Sequence, residues 1–243
     1  FRARGKRGGR AKQYSPRRVR RRIGRIPGSN LNKKERMSNI NVITYNTRTM
    51  YHTDLTDIAQ GTANNINERN RNQITLTGWS MRMHFLSNTD RPLVINLAIV
   101  APKNGTDVTT TTPSGFFRDY NNSRDVDFGT SLSSIQMNNL PISTDKMHIL
   151  WRRKVMLGNF TTSNDLNINQ NKTPPGTNFI KTYVKLKRQI TYNDDSATGA
   201  EGKVYLLWWA DKIFEDSGVL AATAAWKGQW DIISYFKESG QRS

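Results

Sequence analysis

Hydrophobic and polar residues alternate with a period of two along much of the chain after residue 38. From Phe179 to Tyr192 the alternate positions are apolar on one side and mainly basic on the other, as a strand with one buried face requires. Leu93 to Ala101 is almost continuously apolar, which predicts a strand covered on both faces. Further strands are predicted at Ile40 to Thr44, Met147 to Val155, Lys203 to Ala210 and Trp230 to Phe236.

The interval from Asn72 to Leu86 contains a change of phase. Its apolar residues fall on even numbers up to Leu76 and on odd numbers from Trp79 onward. A shift of one residue would turn the apolar side chains to the wrong face unless a β-bulge absorbs it, so a bulge is predicted at Gly78. The strand is expected to form a hairpin with the following one across Ser87 to Arg91.

Long polar segments separate these strands. Residues 103–146 are rich in turn-forming residues and are expected to include a short helix, while Val219 to Trp226 has the composition of two helical turns. Seven or eight strands with such connections favour an all-β fold, an eight-stranded jelly-roll sandwich with an extended, Arg-rich N-terminal arm. Local patterning does not by itself fix that topology.

The positive charge of the chain is concentrated in the arm. The whole chain has 37 Lys and Arg against 19 Asp and Glu, and residues 1–36 hold 15 of the basic residues with one acidic residue. Frequent glycine and proline argue against a long helix there, and such a segment cannot form a core of its own. We therefore divide the chain into a basic arm, residues 1–36, and a shell domain, residues 37–243.

Arginine and lysine at this density predict binding to a polyanion. Arginine matches phosphate oxygens bidentately, and each neutralised phosphate releases a counterion. A nuclear localisation signal is an alternative role, and one segment can serve both. The predicted nucleic-acid-binding residues are Arg2, Arg4, Lys6, Arg7, Arg10, Lys12, Arg17, Arg18, Arg20, Arg21, Arg22, Arg25, Lys33, Lys34 and Arg36.

A second basic surface is predicted on the strand from Phe179 to Tyr192. Lys181, Lys185 and Lys187 share one face with Tyr183. We interpret this as a solvated strand face and keep contact with nucleic acid as the alternative.

Motifs for catalysis, cofactors and metals are missing from the sequence. Absence of cysteine excludes disulfides and thiolate chemistry, and neither a P-loop, a GxGxxG after a strand nor a GxSxG motif occurs. His52, His84 and His148 lie on separate segments. The acidic residues around Asp194, Asp195, Asp211, Glu215 and Asp216 are more simply explained as turn residues than as a metal site. We expect no enzyme activity, no cofactor, no metal and, without a run of about 18 apolar residues, no membrane span.

The order of these features resembles the capsid proteins of circular single-stranded DNA viruses, the geminivirus and circovirus-like group. An Arg-rich N-terminus precedes ITLTGWSMRMHFLSNTDRPLVINLAIVAP (Ile74 to Pro102), followed by MHILWRRKVMLG (Met147 to Gly158) and by YVKLKRQITYND and KVYLLWWAD (Tyr183 to Asp211). A basic strand ending in Thr191, Tyr192 and Asn193 before an apolar strand is most like the geminivirus pattern. The chain departs from that pattern in lacking cysteine, so the resemblance is to the shell fold of the group.

The resemblance implies a jelly-roll subunit that assembles with identical copies into an icosahedral shell, with 60 copies in the simplest case. The arms would face inward on a single-stranded DNA genome. The protein would then be located in the virion and, after transport by a nuclear import receptor, in the host nucleus. Some of the aromatic residues Trp226, Trp230, Tyr235 and Phe236 are expected at subunit contacts, with core packing as the equal alternative.

Two other classes of protein remain open at this point. A cellular nucleic-acid-binding β-barrel module with a basic tail would share the same charge distribution and act as a monomer. A carbohydrate-binding jelly roll would use the six tryptophans of the chain to stack on sugars.

Overall fold

The structure is a computed structural model that describes residues 32–61, 68–88, 92–103, 106–119, 121, 124–129, 131–158, 177–193, 200–213 and 224–238. This part of the chain is mostly β-strand, and every strand pairing within its sheets is antiparallel. The strands are β1 (Asn32–Asn46), β2 (Tyr51–Asp54), β3 (Gln73–Ser87), β4 (Leu93–Pro102), β5 (Phe117–Asp119), β6 (Arg124–Val126), β7 (Met147–Leu157), β8 (Thr177–Tyr192), β9 (Ala200–Glu201), β10 (Tyr205–Lys212) and β11 (Ala224–Glu238). The helix α1 (Ser134–Asn139) lies between β6 and β7.

The strands form two main sheets. Sheet I has the order β1-β11-β3-β8-β9, sheet II has the order β2-β10-β4-β7, and β5 and β6 form a separate ribbon. The pairings are nested along the chain, because β4 pairs with β7, β3 with β8, β2 with β10 and β1 with β11. Along the chain the principal strands alternate between the two sheets, except that β4 and β7 both lie in sheet II.

The main core fills the space between the sheets. Trp79 and Met81 of sheet I and Ile95 and Leu97 of sheet II belong to one cluster of buried side chains. The alternation seen in the sequence of β3 and β8 corresponds to this arrangement, since one face of each strand is buried and the other is open. An all-β domain with antiparallel sheets is therefore confirmed.

The predicted bulge in β3 is confirmed. The pairing registers with both β8 and β11 shift between Leu76 and Gly78, so the apolar positions on either side of the shift point into the core. Gly78 has φ +153°, and a Cβ there would lie 2.5 Å from the carbonyl oxygen of Val184. A residue without a side chain is needed at this position.

β4 is covered on both sides, as its apolar sequence predicted. Leu97 and Ile99 face the main core, whereas Ala98 and Val100 face a second cluster formed with Phe116 and other residues of the segment between β4 and β7. That segment contains the predicted short helix, whose N-terminus is closed by a capping box between Ser133 and Gln136. This segment covers the outer face of sheet II, whereas in sheet I the outward side chains of β8 are exposed within the described part of the chain.

Several local predictions were wrong. The expected hairpin across Ser87 to Arg91 does not form, because β3 pairs on both edges within sheet I while β4 lies in sheet II. Alternation shows which side chains are buried but carries no information about which strands pair. Ala224 to Trp226 belongs to β11 rather than to a helix, and the preceding residues 219–223 lie outside the described part. This segment pairs with Tyr45 of β1 and Ser87 of β3, and Trp226 stacks on Tyr45 with ring centroids 4.4 Å apart.

The first strand begins earlier than the sequence pattern indicated. β1 starts at Asn32, within the stretch interpreted as the arm, and Asn32 to Asn39 pair with Trp230 to Lys237 of β11. Met37 packs against the main core, but its neighbours are polar. Backbone pairing with an existing strand holds this segment, and such pairing leaves little trace in an apolar pattern.

A buried ion pair fixes the turn after β1 to sheet II. Arg48 Nε lies 3.1 Å from Asp211 Oδ2, with side chains exposed by 8% and 1%, and Arg48 Nη2 donates a hydrogen bond to Ser134 Oγ at 3.0 Å. Arg48 has φ +56°, a conformation rarely adopted outside glycine. Asp211, one of the acidic residues considered for metal binding, therefore has a structural role.

Candidate nucleic-acid interface

The predicted arm residues divide into two groups. Those that lie outside the described residues are Arg2, Arg4, Lys6, Arg7, Arg10, Lys12, Arg17, Arg18, Arg20, Arg21, Arg22 and Arg25. Lys33, Lys34 and Arg36 lie in β1, and the side chains of Lys34 and Arg36 are described and exposed. The last part of the basic series is therefore the edge of a sheet.

Lys34 and Arg36 lie at positions of β1 that face outward from sheet I. Arg36 pairs in register with Ile233 of β11, and its guanidinium reaches Asp231, with Nε 2.8 Å from Oδ1. This hydrogen bond and the adjacent carboxylate charge raise the pKa of Arg36. Because the side chain of Arg36 is 63% exposed, the pair adds little stability but orients the guanidinium over the sheet.

The lysines of β8 lie on the same outward face. Lys181, Lys185 and Lys187 are all exposed, while the alternate residues of β8 face the core or are partly covered. In register across sheet I, Lys181 lies opposite Arg82 of β3, which in turn lies opposite Asp231 of β11. Four residues further along β8, Lys185 lies opposite Gly78, which lies opposite Tyr235, which in turn lies opposite Lys34.

We call this surface the basic face. Its outward basic side chains are Lys34, Arg36, Arg82, Lys181, Lys185, Lys187, Lys227 and Lys237. Among the described outward positions of these four strands, the acidic residue is Asp231, whose carboxylate is engaged by Arg36. Lys181 and Arg82 are like charges directly opposite each other and repel one another, and the Asp231 carboxylate that lies opposite Arg82 on its other side is also engaged by Arg36. A bound polyanion would relieve that repulsion.

Two aromatic side chains are interleaved with these charges. Phe179 and Tyr183 of β8 are 60% and 55% exposed, which is unusual for large apolar side chains on a sheet. Tyr183 extends over β3, where its hydroxyl lies 3.4 Å from the carbonyl oxygen of Thr77. A Cβ at Gly78 would lie 2.7 Å from the same hydroxyl, so the glycine also leaves room for the ring.

A second basic concavity lies at one end of the sandwich. It has a volume of about 640 Å³ and is lined by Lys103, His148, Arg188 and Lys203, among others. Lys203 Nζ is 3.9 Å from Asp54 Oδ2, so part of this charge is already compensated. The basic face, with a single engaged carboxylate among its described outward positions, is the stronger candidate for a polyanion.

Residues considered for metal binding or catalysis are dispersed. His52, His84 and His148 lie in β2, β3 and β7, and Asp194, Asp195, Glu215 and Asp216 lie outside the described residues. Within the described ranges, no group of three or more histidine or acidic side chains is arranged to hold a metal ion. In the same part of the chain, no helix is long and apolar enough to span a membrane.

The tryptophans are engaged within the fold. All six are described, and none is exposed: Trp79, Trp208, Trp209 and Trp226 are buried, while Trp151 and Trp230 are partly buried against the main core. Four of the six tryptophans are therefore not available to stack on a sugar, and the other two are partly covered by the core. Trp226 and Phe236, two of the residues expected at subunit contacts, are fully buried, so core packing is the correct interpretation for both.

No known protein family matches the chain, and a search of curated proteins finds no significant match. The function of this protein is therefore inferred from its own residues and their arrangement in the fold.

Sequence reasoning missed part of the basic face. Arg82, Lys227 and Lys237 are isolated basic residues in their own segments, and only the alternation of β3 and β11 assigns them to outward positions. Their proximity to Lys181 and Lys34 depends on strand order, which brings together segments that are far apart in sequence.

Proposed function

We propose that this chain is a structural viral capsid protein that self-assembles into an icosahedral shell and packages single-stranded DNA through its basic arm and the basic face. The observation that carries the proposal is the continuity between these two elements. β1 begins directly after residue 31 and brings Lys34 and Arg36 onto the sheet face that carries Lys181 and Lys185. A polyanion bound by the arm would thus be guided along the face.

The proposed fold is a jelly roll with eight principal strands. If β9 and the β5-β6 ribbon are set aside, four strands remain in each sheet, in the orders β1-β11-β3-β8 and β2-β10-β4-β7. The nested antiparallel pairs are those of a long two-stranded ribbon that is rolled up so that its two halves cover each other. This topology supports the resemblance to capsid subunits and is equally found in other jelly-roll proteins.

Association with identical subunits is supported by exposed apolar side chains other than the two aromatic ones of β8. Val42 on β1 is 56% exposed, Met156 on β7 is 52% exposed, and Ile135 on α1 is 61% exposed. Side chains of this size gain free energy when a neighbouring subunit covers them. We propose that these residues, rather than the buried Trp226 and Phe236, lie at subunit contacts. The virion and the host nucleus, reached through an import receptor that recognises the arm, are the proposed locations.

The test is to purify the chain and to examine it by negative-stain microscopy and sedimentation, with absorbance at 260 and 280 nm measured after nuclease treatment. We expect uniform closed particles that contain protected nucleic acid. A matched variant in which Arg17, Arg18, Arg20, Arg21 and Arg22 are replaced by Gln should contain less nucleic acid per particle, because fewer phosphates are neutralised.

A monodisperse 27.8 kDa monomer that binds nucleic acid without forming particles would refute the capsid proposal. That result would favour the cellular nucleic-acid-binding module instead. If both the unchanged chain and the variant form particles that contain no nucleic acid, the proposal of a shell would stand and packaging by the arm would be refuted.

A further inference from the structure

The outward face of β8 has a regular alternation of aromatic and basic side chains. Phe179, Lys181, Tyr183 and Lys185 follow one another at every second residue and are all exposed. Every second residue of a strand is displaced by about 6.7 Å along it, so rings and charges alternate on one line. None of these side chains is directed into the core, so burial in the core does not explain the two rings.

Contacts on one side keep the ring of Tyr183 in place. It lies over the bulge of β3, close to Gly78, and makes an edge contact with Tyr235, with ring centroids 6.0 Å apart. Despite these contacts, Tyr183 remains 55% exposed. Its position is thus restrained while much of its surface is open, which lowers the entropy cost of receiving a flat partner.

Phe179 forms one wall of a cavity on the same face. The cavity has a volume of about 280 Å³, and its other lining residues include Arg82, His84, Gln229 and Trp230. This volume is close to the lower limit for small-ligand sites, which is about 300 Å³. Amide, imidazole and guanidinium groups and the Asp231 carboxylate surround the aromatic wall, which suits one planar ring with polar edges such as a nucleobase.

We infer that the basic face is a binding platform for single-stranded nucleic acid, on which unpaired bases stack against Tyr183 and Phe179 while Lys181, Lys185 and Arg82 contact phosphates. This inference rests on the proposed packaging function and specifies where and in what form the nucleic acid binds. In a duplex the faces of the bases are covered by their neighbours, and stacking on exposed side chains requires unpaired bases. Charge alone would accept either form, so the two aromatic rings carry the preference for single strands.

The experiment uses the full chain and a thymidine oligonucleotide in which 5-iododeoxyuridine replaces some residues. Irradiation joins this base to aromatic side chains that it contacts, and mass spectrometry of the digested protein identifies the linked residues. We expect crosslinks to Phe179 and Tyr183. A duplex that carries the same modified strand should give much less of both.

Affinity for the same oligonucleotide is measured in parallel at raised salt, where phosphate contacts contribute less. Phe179→Ala and Tyr183→Ala are each expected to weaken binding on the order of tenfold, because stacking on one aromatic residue contributes about that much. Tyr183→Phe retains the ring and should bind as the unchanged chain does. Ile149→Ala is the matched control, since it removes an exposed apolar side chain from β7 in the other sheet. Thermal unfolding of each variant verifies that the fold is retained.

The outcomes separate the inference from the function on which it rests. Crosslinks confined to other residues, or alanine variants that bind as tightly as the Ile149→Ala control, would overturn the stacking platform while packaging by the arm stands. Equal crosslinking of the duplex would overturn the single-strand preference. If the full chain binds no nucleic acid and forms no particles, the proposed function fails together with the inference.

Discussion

The lysines of β8 allow a quantitative prediction about the salt dependence of nucleic-acid binding. Each phosphate neutralised on a single strand contributes about 0.7 to the slope of log affinity against log salt concentration. If Lys181 and Lys185 each neutralise one phosphate, the double variant K181Q/K185Q should reduce the magnitude of this slope by about 1.4. When the salt concentration rises fourfold, the affinity of the variant should therefore fall by a factor about seven times smaller than the affinity of the unchanged chain does.

The assay is fluorescence anisotropy of a labelled single-stranded oligonucleotide, titrated with the full chain between about 50 and 200 mM salt. The matched control is R124Q/R153Q, which removes two exposed positive charges from β6 and β7, away from the basic face. K181R/K185R keeps the charge and should restore the original slope.

Equal slopes for K181Q/K185Q and the control would refute phosphate contacts by Lys181 and Lys185, because overall net charge would then account for binding. An unchanged slope in K181Q/K185Q would show that these lysines contact no phosphate and that the arm alone binds. Either result would restore the interpretation of β8 as a solvated strand face.

Three further predictions concern the fold. Asp211→Ala should lower the free energy of unfolding, measured by chemical denaturation, by about 3–5 kcal/mol, because it leaves the buried Arg48 guanidinium without its carboxylate. Replacing both residues with apolar ones should recover most of the loss, and a small effect of the single variant would contradict a stabilising role of the ion pair. Gly78→Ala should lower the free energy of unfolding by about 1–3 kcal/mol, since φ is +153° and the new Cβ would lie 2.5 Å from a carbonyl oxygen. The control Gly129→Ala, whose Cβ would have no atom within 4 Å, should unfold at nearly the same denaturant concentration as the original chain. Burial, assisted by nearby Asp54, raises the pKa of Tyr205 to about 12. The contribution of this shift to stability is therefore present below the unfolded pKa of about 10 and is lost as the pH rises towards 12. Tyr205→Phe should make the loss of stability at alkaline pH less steep, and an unchanged pH profile would contradict this.

The sequence by itself determined which strands have one buried face and which have two. Alternation in β8 and the uninterrupted apolar run of β4 are direct consequences of the two-residue repeat of a strand, and both predictions were confirmed. The bulge at Gly78 was equally predictable, because a change of phase within one strand requires a local correction. The charge of the arm and the basic stripe of Lys181, Lys185 and Lys187 are likewise properties of the sequence alone.

Strand order and the composition of the basic face were decided only by the tertiary structure. Alternation is the same whichever strand lies alongside, so nothing in the sequence indicated that β3 pairs with β8 and β11 rather than with β4. For the same reason the polar start of β1 was interpreted as arm, although pairing with β11 makes it a strand. The juxtaposition of Arg36, Arg82 and Lys181 is a contact between segments distant in sequence, and such contacts follow from how the sheets assemble rather than from any local pattern.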